Sequence, residues 1–220
     1  MNKKMINWVG LTGLIAFISY GIAVFLSPID FPGYNWMSQA VSDLSAETAP
    51  SRLLWDRLSA FYSVFSPVCV VAVASYVSGH KIGTKLFRLG IYLFMAMNLI
   101  SAVGYKMFAL TDSGKEITTF AEKMHIVVTI AVVLLSIVSL TLLIIAGFRK
   151  NGRRSIGVWA AIALGMMFVG AIGKGAVPTE YFGIVERFSV FAAVGFNAVL
   201  GIYLFRGFPE KEPGLQAVAA

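Results

Sequence analysis

Apolar residues run in long blocks along this chain, and polar residues collect between them. Six blocks stand out, at 8–27, 57–78, 86–109, 124–147, 156–176 and 185–205. Each is long enough to cross a hydrocarbon core of ~30 Å at ~1.5 Å per helical residue. The pattern predicts an all-α polytopic membrane protein with six transmembrane helices. They form one domain over 1–207, with a disordered tail over 208–220. The first block follows Met1-Asn2-Lys3-Lys4, a start like that of a secretory signal. Its apolar part is too long for one and no small-residue cleavage site follows, so a retained span is expected.

The longest connection, 28–56, follows the first span. It opens with turn chemistry at Ser27-Pro28 and Phe31-Pro32-Gly33. In YNWMSQAVSDL, residues 34–44, Tyr34, Met37, Val41 and Leu44 form an apolar stripe. A short interfacial helix anchored by Tyr34 and Trp36 is expected there, the alternative being an irregular loop that caps the bundle. Pro50 suits the first turn of the second span. The fifth span carries Gly157, Gly165, Gly170, Gly173 and Gly175, with Ala160, Ala161, Ala163 and Ala171 between them. Small residues allow close helix approach, so this span is expected at the centre of the bundle. It also offers a contact surface for a second copy or another membrane subunit. The fourth span, bulky and nearly featureless, is expected largely to face lipid.

Composition supports this reading: 58% of residues are hydrophobic and 13% charged, with a mean hydropathy of +0.78. Cys69 is the single cysteine, so no intramolecular disulfide forms. The formal net charge of +7 is unevenly divided. With the N-terminus cytoplasmic, the inner side holds Lys3, Lys4, Lys81, Lys85, Arg88, Arg149, Lys150, Arg153, Arg154, Arg206 and Lys211 against Glu210 and Glu212. That is 11 − 2 = +9. The outer side holds Arg52, Arg57, Lys106, Lys115, Lys123, Lys174 and Arg187 against Asp30, Asp43, Glu47, Asp56, Asp112, Glu116, Glu122, Glu180 and Glu186, or 7 − 9 = −2. This is the positive-inside pattern, and it predicts both termini in the cytoplasm and a home in the cytoplasmic (inner) membrane. The basic loops are explained by topology, so nucleic acid is not an expected partner.

The three spans that run inward each open with an acid and a base: Asp56-Arg57, Glu122-Lys123 and Glu186-Arg187. WDRLSAFYSVF and VERFSVFAAVGF match most closely, as a duplicated hairpin would. Interfaces select such residues too, since acids complement a helix N-terminus and bases snorkel to headgroups. Lys106 and Lys174 add cations at the same level, and Glu122 and His125 share a helical face. Ionisable groups at a membrane surface are costly unless paired or wetted. Their convergence predicts an outward-opening polar pocket roofed by residues 34–48. Asn98 and Asn197 lie deeper and are expected to bond across helices.

Several features together resemble a bacterial family: the six-span layout, MSQAVSDLS after the first span, a histidine at the top of the fourth and Glu-Arg opening the sixth. That family is catalogued as domain of unknown function 998 and is distantly similar to the DRAM/Sfk group of eukaryotic six-span membrane proteins. The resemblance implies that Ser42, Asp43, His125, Glu186 and Arg187 are the positions to watch. It implies no activity.

Three readings follow. The favoured one is a binding protein for a membrane lipid or other anionic amphiphile, its ligand met by Arg57, Lys106, Lys174 and Arg187, with Glu122, Glu186 and Asp43 orienting those bases and His125 in the same pocket. The second is a lipid hydrolase or transferase on the same pocket, with Ser42, His125, Asp43 and Glu186 as candidate catalytic residues. The third is a structural subunit of a membrane assembly. No cofactor and no metal are expected, because His80 and His125 fall on opposite sides of the membrane.

Overall fold

The computed structural model describes residues 3–111, 119–150 and 152–209, with Lys174 described in its backbone only. Asp112, Lys115, Glu116, residues 210–220 of the expected tail and the Lys174 side chain lie outside the described residues. Eight α-helices make up the described chain: α1 Met5–Val9, α2 Leu11–Leu26, α3 Arg52–Leu58, α4 Ala60–Gly79, α5 Lys85–Met107, α6 Phe120–Phe148, α7 Arg154–Ala176 and α8 Phe182–Phe205. Six stretches are long and apolar enough to span a membrane: Met5–Asp30, Ala60–Gly79, Lys85–Met107, Phe120–Phe148, Arg154–Gly173 and Thr179–Phe205. The hydropathy pattern located all six.

Successive helices pack around the bundle, α2 on α4, α4 on α5, α5 on α6, α6 on α7, α7 on α8 and α8 back on α2, while α4 and α8 also touch. The main core draws Val70 and Val73 from α4, Ile91 and Phe94 from α5, Leu140 and Leu143 from α6, Ile156 and Ala160 from α7 and Leu200 and Leu204 from α8. The outward surfaces stay apolar, as lipid contact requires: Ile130 and Leu134 on α6 and Ile162 and Ile172 on α7 are all exposed.

The Gly-rich fifth span is not the central one. α7 packs on α6 and α8, whereas α8 packs on α1, α2, α4 and α7. Gly170 and Gly173 do admit Ser189 and Val185 of α8, but Gly165 and Gly175 face open space. The closest backbone approach lies elsewhere. A Cβ on Gly10 would strike the Gly201 carbonyl, and one on Gly201 would strike the Gly10 carbonyl. Asn7 secures the same junction, its Nδ2 donating to the Leu204 carbonyl at 2.8 Å near the end of α8.

The interfacial helix expected over 34–44 does not form. Residues 27–30 and 42–45 make single 3-10 turns, and the rest of the loop is turn and extended chain. Side chains bond the loop's own amides and hold it in turns: Gln39 Oε1 accepts from Asn35 N at 2.7 Å, Asn35 Oδ1 from Met37 N at 3.0 Å and Asp43 Oδ2 from Ala40 N at 3.2 Å. The loop instead caps the bundle, with Val41, Leu44 and Ala46 fully buried under it. Pro50 falls just before α3 rather than within its first turn, and the helix is interrupted at Ser59 between α3 and α4. At the opposite end the packed chain reaches Phe208, one residue beyond the expected boundary. Its ring is buried against Tyr76 and Tyr203.

Candidate functional site

Four segments meet under the cap: the loop 31–59, the end of α5 with residues 108–111, the start of α6 and the start of α8. Two backbone bonds tie the first to the second, Glu47 N to Leu110 O at 2.8 Å and Thr48 N to Thr111 O at 3.2 Å. Arg57, Lys106, Glu122, His125, Glu186 and Arg187 lie on these segments. They do not form one constellation there.

Arg187 is committed to the loop. Its Nη1 donates toward the carbonyls of Trp36 at 2.7 Å, Gln39 at 3.1 Å and Gly183 at 2.6 Å, and Nη2 donates to Tyr34 Oη at 2.7 Å. Tyr34 Oη in turn donates to the Ala40 carbonyl at 2.9 Å. Burial pushes the Tyr34 phenol above its usual value, against the pull of the guanidinium beside it. Gly183 makes the approach possible, since a Cβ there would collide with the carbonyls of Trp36 and Gln39. Ile184 N completes the seam with a bond to Met37 O at 3.2 Å.

Glu186 sits beside Arg187 on the same turn, and its Oε2 accepts from Val41 N at 3.2 Å. The phenols of Tyr20 and Tyr105 and the buried Asp43 carboxylate lie within electrostatic range of it. Tyr20 packs edge-on or tilted against Tyr62, Trp55 and Phe191 at centroid distances of 4.7–5.8 Å. These tyrosines were not foreseen from the sequence. Tyr20, Tyr62 and Tyr105 stand in apolar blocks, where an aromatic ring passes for core.

Glu122 closes a capping box at the start of α6. Thr119 N and Oγ1 each donate to Glu122 Oε2 at 2.9 Å, and Glu122 N donates to Thr119 Oγ1 at 3.2 Å. One turn on, His125 Nδ1 lies 2.8 Å from the Phe108 carbonyl, and its ring packs on Tyr105 at 4.8 Å. A carbonyl only accepts, so Nδ1 carries the proton and Nε2 of the neutral ring is the acceptor. Ser42 opens the second 3-10 turn, half-buried, with its carbonyl accepting from Ser45 Oγ at 3.0 Å. Among the described residues, no hydrogen bond joins the Ser42 hydroxyl to His125.

Arg57, Lys106 and Lys123 are exposed, as is Asp56, which lies 3.9 Å from Arg52 Nε. The three acid–base doublets therefore occupy three different settings: an exposed helix rim, a capping box and a loop seam. A shared function inherited from a duplicated hairpin gains nothing from that.

A scan of family models matches residues 14–203 to the family described as protein of unknown function (DUF998). The chain belongs to this family. No curated protein and no solved structure matches it. Among the described residues of this DUF998 member, no cluster of three or more His, Cys, Asp or Glu is arranged to hold a metal. A small cleft lies far from the cap, between α7 and α8, lined by Trp159, Val199, Ile202, Tyr203 and Arg206.

Proposed function

We propose that this DUF998 protein is a multi-pass protein of the cytoplasmic membrane, with both termini inside, that binds an anionic amphiphile at the outer rim of its cap. What carries the reading is the exposure of Arg57 and Lys106. Exposed apolar side chains lie next to each, Phe61 and Val64 on α4 beyond the Ser59 break after Arg57, and Leu99 and Val103 before Lys106 on α5. α4 and α5 are packed neighbours. Two cations set above two apolar stripes match an anionic headgroup above its acyl chains. Arg187, engaged by the loop, supports the roof of the site rather than the ligand.

The test is retention of phosphatidylglycerol by the detergent-purified protein, read by native mass spectrometry. The double variant Arg57→Ala, Lys106→Ala should retain several-fold less than wild type. Unchanged retention would remove the site.

One observation favours a second reading, a hydrolase or transferase. His125 is oriented by a backbone carbonyl and has Nε2 available as an acceptor, the arrangement of a general base. Turnover of a lipid ester abolished by His125→Ala in the folded protein would establish it.

A further inference from the structure

The middle of the bundle contains a directed hydrogen-bond chain that leaves one acceptor unpartnered. Asn197 Nδ2 donates to the Ser66 carbonyl at 3.1 Å and to Ser66 Oγ at 2.9 Å. Ser66 Oγ donates to Asn98 Oδ1 at 3.3 Å, and Asn98 Nδ2 donates to the Phe94 carbonyl at 3.0 Å. The directions are fixed, because carbonyl oxygens only accept. Rotating the Asn197 amide would turn its oxygen onto the Ser66 carbonyl and cure nothing. Asn197 Oδ1 is therefore an acceptor without a donor, in a residue only 1% exposed. A bare buried acceptor is costly in an interior bounded by hydrocarbon. A small proton donor satisfies it, and water is the smallest.

Polar faces lead from this point toward the cap. On α4, Tyr62 and Ser66 stand one turn apart; on α5, Asn98, Ser101 and Tyr105 recur at i, i+3 and i+7; on α8, Glu186 and Asn197 are separated by about three turns. Tyr105 Oη donates to Thr129 Oγ1 at 3.2 Å. Polar groups inside a membrane bundle bond across helices or line paths for water and protons, and an acceptor left without a donor favours the second.

We propose that a water-accessible half-channel enters beside Glu186, passes Tyr105, Ser101 and Tyr62, and ends on a water held by Asn197 Oδ1. This path lies inside the bundle and is separate from the outer rim at Arg57 and Lys106.

Cysteine accessibility tests it. In a Cys69→Ala background, Ser101→Cys and Leu99→Cys are placed two residues apart on α5, the first facing the column and the second the outer surface. In proteoliposomes, 2-aminoethyl methanethiosulfonate reacts with the ionised, hydrated thiol. Ser101→Cys should label at least about tenfold faster than Leu99→Cys. Equal or slower labelling overturns the half-channel. Water-edited solid-state NMR on the asparagine-labelled native protein gives a check free of substitutions. Early transfer from water to the Asn197 side-chain amide is expected. Transfer as slow as to the apolar core would mean a dry column and would overturn the proposal.

Discussion

Arg187 Nη2 meets Tyr34 Oη at 2.7 Å across 153 residues of sequence. This contact joins the first turns of α8 to the loop that follows α2. Around it Nη1 collects three backbone carbonyls. An Arg-Tyr pair of this kind acts as a latch: it holds an irregular loop over the bundle by supplying donors that the loop's own backbone lacks.

Arg187→Ala should lower stability by about 1.5–3 kcal/mol, since charged hydrogen bonds to carbonyls are lost at once. Arg187→Lys should recover little, because an ammonium cannot reach acceptors spread around a planar fork. Thermal unfolding in detergent reads both. A normal melting temperature with lost lipid retention would instead make Arg187 a ligand contact.

Gly183→Ala should damage the same latch from the other side. The added methyl meets the Trp36 and Gln39 carbonyls, for a cost of ~1–3 kcal/mol. Because both substitutions release one loop, their effects should not add in the double variant. Simple additivity, measured by the same unfolding assay, would show that the two residues act independently.

Much of this architecture was legible beforehand, and the reasons differ by element. Spans are visible because lipid demands an apolar block of fixed length, so all six appeared with ends displaced by a few residues. The 34–44 loop was misread because its apolar stripe fits a helix, while Asn35, Gln39 and Asp43 spend their side chains on local amides. The position of α7 was misread because small residues permit close packing without requiring it. Which ionisable groups turn inward was not legible. Asp56-Arg57 and Glu186-Arg187 share a pattern, yet only the second pair touches the cap.

The capping box at Thr119 and Glu122 sets where α6 begins. Thr119→Ala should cost ~1 kcal/mol, the usual worth of such a cap. The effect is local, so hydrogen exchange at residues 120–124 should quicken while the middle of α6 stays protected. Uniform deprotection along the helix would assign Thr119 a wider role.

The Tyr34 phenol gives the latch an alkaline limit. Its folded pKa is raised above the ordinary value of 10.0 by burial. A raised pKa means that the folded protein holds the proton more tightly than the unfolded chain. The resulting stability is present below pH 10 and is lost as pH rises through the folded value. The loop should therefore loosen at high pH, seen as faster proteolysis between residues 31 and 48. Tyr34→Phe, which has no phenol to ionise, should remove that pH dependence while weakening the latch at neutral pH. A variant as pH-sensitive as the native protein would mean that another group drives the change.

His125 separates the binding reading from the enzymatic one through its protonation state. The Phe108 carbonyl accepts from Nδ1, so the neutral ring should hold its proton there and leave Nε2 bare. Nitrogen-15 NMR of the labelled protein should show a protonated Nδ1 and an unprotonated Nε2 at neutral pH. His125→Asn can keep the bond to Phe108 through its amide nitrogen but has no group to take up a proton. Under the binding reading it should fold and retain phosphatidylglycerol like the native protein. Under the enzymatic reading it should fold and lose all turnover. If His125→Asn does not fold, the ring is needed for its packing on Tyr105.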